Sequence, residues 1–465
     1  MKYRIEKDCL GEAKIPDQCL WGIHTQRALD NFKVSSSQVA TSLIKALAVV
    51  KKACCLTNAQ LGFLPKNKTE AILSSCDEII QGKHKDQFPL DCLQGGAGTS
   101  TNMNINEVVA NRALEIMGQS RGDYATLDPI EDVNLHQSTN DVYPTAVKLA
   151  VLWALADLSA NIKLLQGVFQ KKEKEFADIV KVGRTELQEA IPMTLGAEFS
   201  AFSEAIARDR WRVFKSEERI RQVNLGGTAV GTGLTAPRSY IFLVSEKLRE
   251  LTGFGLTRGE NLVDQTANTD SFVEVVGILR AHCSNIIKIS NDLRLLNLLG
   301  EVEIETLQTG SSIMPGKANP VIFESAIQAC LKADSDSSLV FEASSRSSLQ
   351  INEFMPLVSH NIIEAIRILV EVNKMLVKHI KTIKANPKIC RKYFDNSPLI
   401  VTAFLPHLGY QKCQKLWKDF YQESKNGKIT VRDFLEKNLG KEEVNKILSA
   451  QSLMSLGYRD NEKST

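Results

Sequence analysis

Apolar residues in the middle of the chain recur at alternating steps of four and three. Val151, Leu155, Leu158, Ile162, Leu165, Phe169 and Phe176 form one such stripe, the spacing of a helix buried along a narrow seam against near-parallel neighbours. Phe272, Val276, Leu279, Cys283 and Ile286 repeat it, and Leu293 and Leu296 extend the row. A third stripe, Ile362, Ile366, Leu369, Leu376, Ile380 and Ile383, begins after Pro356 and stops at Asn386-Pro387, where the proline ring disfavours helix at the residue before it. A fourth helix is expected from about Ala197 to Gln222, with Ala197, Ala201 and Ala205 as a small-residue face. Segments this long exceed the usual globular helix, so they are expected to bury their seams against other helices, including those of other subunits.

The pattern predicts a mainly α chain in three parts. These are a mixed amino-terminal domain over 1–142, a central bundle of long helices over 143–385, and a small helical carboxy-terminal domain over 386–465. In the first part Pro65-Lys66-Asn67-Lys68 reads as a turn and Gln94-Gly95-Gly96-Ala97-Gly98-Thr99-Ser100 as a glycine-rich loop. In the last, Thr430 with Asp433 three places on opens a short helix and Gly440 stops it. Arg459 to Thr465 read as a disordered tail.

Composition narrows the function classes. With 43% hydrophobic and 24% charged residues among 465, the chain can bury a large core. Its 57 basic and 54 acidic residues nearly balance, which argues against a nucleic-acid partner. The opening Met1-Lys2-Tyr3-Arg4-Ile5-Glu6-Lys7-Asp8 lacks the apolar stretch of a secretory signal, and no apolar run approaches the about 20 residues of a membrane span. Ten cysteines show no C-x-x-C pair and no Cys/His ligand spacing, so neither a disulfide framework nor a metal site is expected. Reduced thiols in a cytoplasm account for them most simply. The Gly226 to Gly233 stretch lacks the Gly-Lys-Ser/Thr of a phosphate loop, so nucleotide binding is not expected. Lys171, Lys172 and Lys174 lie off the Val151 to Phe169 seam and read as a solvated helix face.

Candidate chemistry concentrates in Gly310-Ser311-Ser312-Ile313-Met314-Pro315-Gly316-Lys317-Ala318-Asn319-Pro320. Two hydroxyls, backbone amides freed by glycines, one cation and an amide side chain make an anion-binding loop. Taken alone, such a loop is more often a solvated turn.

The full eleven residues resemble the signature of the aspartase/fumarase superfamily, whose members eliminate a group to leave fumarate or a fumarate-like product. The resemblance continues through Arg4-Ile5-Glu6-Lys7-Asp8, Gly22-Ile23-His24-Thr25-Gln26-Arg27-Ala28, the Gln94 to Ser100 loop with Asn102-Met103-Asn104, Gln137-Ser138-Thr139-Asn140-Asp141, and Gly183-Arg184-Thr185-Glu186-Leu187-Gln188. It implies a long helical bundle assembled into the multi-helix core of a homotetramer, with each active site gathered from three subunits. No cofactor and no metal are implied, and the substrate is a small dicarboxylate or amino acid.

By resemblance Ser311 is the catalytic base. Thr99, Ser138, Thr139 and Ser312 hold one substrate carboxylate, Lys317 and Asn319 hold the other, and Asn140 lies near the leaving group. Thr185 and Glu186 complete the substrate-binding set. A proton beside a carboxylate is very weakly acidic, so the dianionic enolate needs donors already aimed at its oxygens. Thr139 and Tyr143 are aspartase-like choices and favour ammonia as the leaving group. Glu186 departs from the histidine or glutamine of relatives; it can pair with an ammonium, or turn aside to a neighbouring cation. Asp132, His136 and Met355 also depart from the family pattern, and His136 gains no catalytic role by position alone. The alternatives are a hydratase or related lyase acting on malate or a substituted aspartate, and a non-catalytic binding protein on the same fold.

Overall fold

The computed structural model describes residues 2–425, 427 and 429–458. The tail expectation for Arg459 to Thr465 lies outside the described residues. At the amino terminus β1 (Tyr3–Asp8) pairs antiparallel with β2 (Gly11–Pro16), from Tyr3 opposite Pro16 to Asp8 opposite Gly11. Cys9 and Leu10 form the two-residue connection, and of ten free cysteines Cys9 is exposed while the other nine are buried.

Four helices follow, α1 (Ile23–Asn31), α2 (Thr41–Gln60), α3 (Lys66–Ile80) and α4 (Thr99–Ile116). Glu107 of α4 secures the start of α1. Its buried carboxylate accepts the N–H groups of Gly22, His24 and Thr25 at 2.9, 2.8 and 3.1 Å and the Thr25 hydroxyl at 2.6 Å. Helix-terminal donors without partners are thus met by an anion. The segment Pro65 to Lys68, expected as a turn, is instead the beginning of α3, with Pro65 as its N-cap at φ −65°. Proline's fixed φ and missing N–H suit a helix start as well as a turn, so its chemistry alone does not separate the two.

The long elements come next: α5 (Thr139–Glu175), the hairpin β3 (Val180–Thr185) and β4 (Gln188–Thr194), and α6 (Leu195–Arg219). They are followed by α7 (Arg238–Thr252), α8 (Leu262–Ala267), α9 (Asp270–Leu298), α10 (Val321–Ser344), α11 (Met355–Ile380) and α12 (Pro387–Asn396). Every residue of the three expected seams is buried, none more than 3% exposed. The most apolar 18-residue window of α5 has mean hydropathy 1.3, enough by length and composition to cross a membrane, yet 67% of it is buried inside the molecule.

Two local expectations change. On α6 the inward face is Leu195, Phe199, Phe202, Ile206 and Val213, whereas Ala201 is exposed and Ala197 and Ala205 are half-buried. Phenylalanines bury far more apolar area than alanines, and Phe199 meets Phe176 edge-on at 5.0 Å and Phe202 at 5.5 Å. In the basic cluster, Lys171 and Lys174 are exposed but Lys172 is buried. Its ammonium donates to the Ile383 carbonyl at 2.6 Å and to Glu175 at 2.8 Å. Lys172 falls three residues after Phe169 and four before Phe176, which turns its stem toward the seam.

The chain divides into two compact units. One comprises Met1–Ser159, Trp211–Cys283 and Leu331–Val370; the other comprises Ala160–Arg210, Ser284–Cys330 and Glu371–Thr465. In the second unit the short helix Val431–Leu439 begins at Thr430, whose hydroxyl accepts the Asp433 N–H at 3.1 Å, and ends at Gly440 with φ +91°.

Candidate active site

In the first unit, four of the expected site residues stand at the starts of α4 and α5. Thr99 is the first residue of α4, exposed, with its N–H donated to the Gly96 carbonyl at 2.9 Å. Gly98 before it takes φ +94°, and a Cβ there would lie 2.6 Å from the ring of Tyr143, itself 1% exposed. The chain can enter α4 at this angle only with glycine at 98. An exposed hydroxyl at a helix start, beside amides that lack helical partners, is a place for an anion.

Ser138 precedes α5 and caps it reciprocally. Its hydroxyl accepts the Asn140 N–H at 3.2 Å, and its own N–H donates to the Asp141 carboxylate at 3.0 Å, the arrangement of a capping box. The Thr139 hydroxyl accepts from Asn102 Nδ2 at 3.1 Å. Both hydroxyl oxygens thus have an internal donor, which leaves their O–H hydrogens to be given outward. Beneath them Asn134 Oδ1 accepts from Lys51 Nζ at 2.8 Å and from Asn106 Nδ2 at 3.1 Å, while Lys51 also donates to Gln137 Oε1 at 2.8 Å. Lys51 is 1% exposed, and burial lowers it to about 8.

Pro144 lies inside α5 and has no N–H for the Asn140 carbonyl one turn earlier. Asn224 Nδ2 fills that vacancy at 2.9 Å and also donates to Thr266 Oγ1 at 2.9 Å. Asp141 is fully buried and accepts the N–H groups of Gly226 and Thr228 at 3.1 and 3.0 Å. Burial pushes its carboxyl up to about 6, against these donors. The glycine-rich stretch set aside as a phosphate loop therefore does wrap an anion, and the anion is the chain's own carboxylate.

The departing residues in this unit have structural partners. Asp132 pairs with Lys68 at 2.7 Å. His136 bonds Asn58 Oδ1 at 2.7 Å and packs edge-on against Phe63, and burial lowers its basicity. Met355 is buried.

The remaining expected residues belong to the second unit. Thr185 ends β3, and Glu186 and Leu187 are the two residues of the hairpin turn, with φ +51° and +61°. Two positive φ angles make a type I′ turn, which favours Asn-Gly. Leu187 in that conformation costs about 1 kcal/mol, so Leu187→Gly is expected to raise the melting temperature by about one degree in thermal unfolding. Glu186 and Leu187 border a cavity of about 400 Å³ together with Lys181, Arg184, Glu198 and Lys288. The cations there are otherwise engaged: Lys181 and Arg184 each hold the buried Glu301 at 2.8 Å. Among the described residues Glu186 makes no ion pair.

The loop 310–320 closes on itself. The Gly310 N–H donates to the Lys317 carbonyl at 2.7 Å, and Asn319 Nδ2 donates to the Gly310 carbonyl at 3.1 Å. A Cβ at Gly310 would sit 2.8 Å from the Lys317 oxygen, so this close approach demands glycine. Ser311 is half-buried, and its Oγ accepts the N–H groups of Ile313 and Met314 at 3.1 and 2.9 Å. Ser312 and Lys317 are exposed. One Asn319 donor is spent on shaping the loop. Among the described residues no hydrogen bond links this loop to the hairpin tip, and no group of acidic, histidine and cysteine residues is arranged to hold a metal ion.

Sequence reasoning missed Asp141, Asn224, Lys51 and Asn134. The first was legible as the last residue of a Ser-x-x-Asp capping pattern. The other three gain their partners only through long-range folding.

A family model described as lyase matches residues 11–333. Aspartate ammonia-lyase of a Bacillus species is 41% identical over 462 residues, covering 98% of this chain and 98% of that one. The enzyme of that name from Escherichia coli K12 is 40% identical over 466 residues, covering 98% and 97%. Two solved structures share the fold. A Brucella melitensis protein described as fumarate lyase:delta crystallin, bound to cobalt, has TM-score 0.93 and 40% identity over 98% of this chain and 100% of its own. A class II fumarase from Schistosoma mansoni has TM-score 0.91 and 29% identity over 98% and 100%. With a matched lyase model over most of its length and full-length relatives at this identity, the chain belongs to the aspartase/fumarase superfamily.

Proposed function

We propose that this protein is an aspartate ammonia-lyase, converting L-aspartate reversibly to fumarate and ammonia. Full-length identity of 40–41% to proteins of that name carries the reading. Ser311 takes the proton beside the substrate's carboxylate, the electron pair passes into the enolate, and ammonia departs as the double bond forms. A serine is a weak base, and the two N–H groups at its Oγ support the anionic form it needs. Thr99, Ser138, Thr139 and Ser312 hold one carboxylate, and Lys317 and Asn319 the other. Asn140, Thr185 and Glu186 face the departing amine, where a carboxylate pairs with an ammonium and gains little from a hydroxyl. Removing one such donor costs about 2.7–4 kcal/mol in the transition state, so Thr99→Ala or Ser138→Ala is expected to lower turnover roughly a hundredfold or more.

The expected residues fall in two units of the chain, and neither unit holds the full set. The same family reading gives a homotetramer with shared active sites, in which the 1–142, 143–385 and 386–465 regions serve as separate domains, working in the cytoplasm. Sedimentation that finds a stable, active monomer removes the shared-site assembly.

The activity is tested by following fumarate in the ultraviolet with L-aspartate, L-malate and N-substituted aspartates offered separately. Fumarate from L-aspartate alone is the expected result. Fumarate from L-malate alone would make the protein a hydratase, and none from any substrate would favour a binding protein.

A further inference from the structure

Glu301 has no exposed surface, and the elimination as described makes no use of it. A carboxylate taken out of water needs cations against it, and here both come from one strand. Lys181 Nζ meets its Oε2 at 2.8 Å and Arg184 Nη1 meets its Oε1 at 2.8 Å. Lys181 is also bonded to Glu198, so two carboxylates face two cations.

Both cations belong to β3, which ends at Thr185, one residue beyond Arg184. Side chains three apart on a flat strand point to opposite faces, so β3 must turn about its own axis for both to reach one carboxylate. The hairpin has the device for that turn. Val182 pairs with Pro192 but Arg184 pairs with Glu189, so Gly183 stands opposite two residues, Ala190 and Ile191. Such a bulge sharpens the local twist. A Cβ at position 183 would lie 3.0 Å from the Ile191 oxygen, which leaves little room for any residue but glycine. Only Arg184, Thr185 and the Glu186-Leu187 tip lie past the bulge, so the twist decides where the tip points.

Glu301 is itself a fixed point. Its N–H donates to the Leu296 carbonyl at 3.0 Å, and its carbonyl accepts the Asn386 N–H at 2.9 Å and the Cys390 thiol at 3.7 Å. The Arg184 guanidinium lies over the Tyr393 ring, 5.3 Å from its centre, and the Tyr393 hydroxyl donates to the Leu299 carbonyl at 3.2 Å. The end of α9 and the start of α12 thus hold the residue that holds the hairpin, all within the second unit.

We propose that Glu301 is a positioning residue, which through Lys181 and Arg184 locks the twist of the β3–β4 hairpin and so aims Thr185 and Glu186 at the substrate. The inference rests on the ammonia-lyase reading, which places those two residues in the substrate site.

The test uses the purified full-length protein. Glu301→Gln keeps the shape of the side chain and removes the charge that both cations answer. Hydrogen exchange at the amides of residues 184–189 is expected to quicken about tenfold, against less than about twofold in the β1–β2 hairpin. The kcat/KM for L-aspartate is expected to fall about tenfold. A merely structural role is separated by a cycle with Thr185→Ala/Glu186→Gln, which strips the tip and is expected to lower kcat/KM about a hundredfold. A residue that acts by aiming the tip has nothing left to aim there, so adding Glu301→Gln is expected to cost less than about twofold more. Arg184→Gln cuts one of the two links and is expected to lower kcat/KM about threefold, again only while the tip is intact, and it carries the test if Glu301→Gln does not fold. Unchanged exchange at the tip, or losses that multiply in the stripped background, overturns the proposal. A wild-type protein that forms no fumarate from L-aspartate overturns the ammonia-lyase reading instead, and the exchange measurement still decides whether Glu301 holds the hairpin.

Discussion

Replacing Ser311 with alanine is expected to lower kcat for fumarate formation by about a thousandfold, with less than about a threefold change in KM for L-aspartate. The split follows from position. Ser311 Oγ meets two backbone N–H groups and no other side chain, so its removal takes away a proton acceptor and leaves Ser312, Lys317 and Asn319 where they are. The loop is closed by Gly310, Lys317 and Asn319 without help from the serine hydroxyl. Stability is therefore expected to change by less than about 1 kcal/mol, because the two freed N–H groups lie where water reaches them. Steady-state kinetics and a denaturant titration on one preparation check both halves. Turnover near the wild-type value would assign the proton transfer to another group.

The largest expected loss of stability comes from Gly98→Ala. An alanine held at φ +94° costs about 1–2 kcal/mol, and forcing a methyl group into a packed ring costs about 1–3 kcal/mol more. The ring cannot step aside easily. Tyr143 is fully buried and its hydroxyl is bonded to Ser359 at 3.0 Å. A total near about 3 kcal/mol is expected from the denaturation midpoint. Turnover falls as well, since Thr99 follows directly and its hydroxyl moves with the helix start. Gly118→Ala is the control. Its φ is +75° but no atom lies within 4 Å of the added carbon, so only the backbone cost of about 1 kcal/mol is expected there. Equal losses at the two positions would remove the Tyr143 ring from the explanation.

These two positions also show how legibility varied along the chain. The long helices could be read because a buried seam needs large apolar side chains at fixed spacing, and Val151 to Phe176 met that need residue by residue. Ala197, Ala201 and Ala205 met the spacing but not the size, and Phe199 and Phe202 took the interior. Lys172 was misjudged because its charge outweighed its place beside Phe176, although a long stem can lie buried when a carbonyl receives the ammonium. In the site, the hydroxyls and Lys317 stood in recognisable motifs. Their supports did not. Lys51 reaches Asn134 and Gln137 across more than eighty residues of sequence, and Asn224 answers a carbonyl left open by Pro144. Such partnerships arise from the folded chain and carry no local pattern. Asp141 lies between these cases, legible as a helix cap but not as the anchor of a turn eighty-five residues away.

The distribution of thiols gives the molecule a built-in reporter. Cys9 sits exposed in the connection between the first two strands, while the other nine cysteines are enclosed. A bulky maleimide should therefore attach once to the native protein, at a position far in sequence from Ser311. The enclosed sulfurs become reactive only where the surrounding helices part. Mass spectrometry of labelled peptides over time would then rank the opening of α2 from Cys54 and Cys55, of α9 from Cys283 and of α10 from Cys330, each on its own clock.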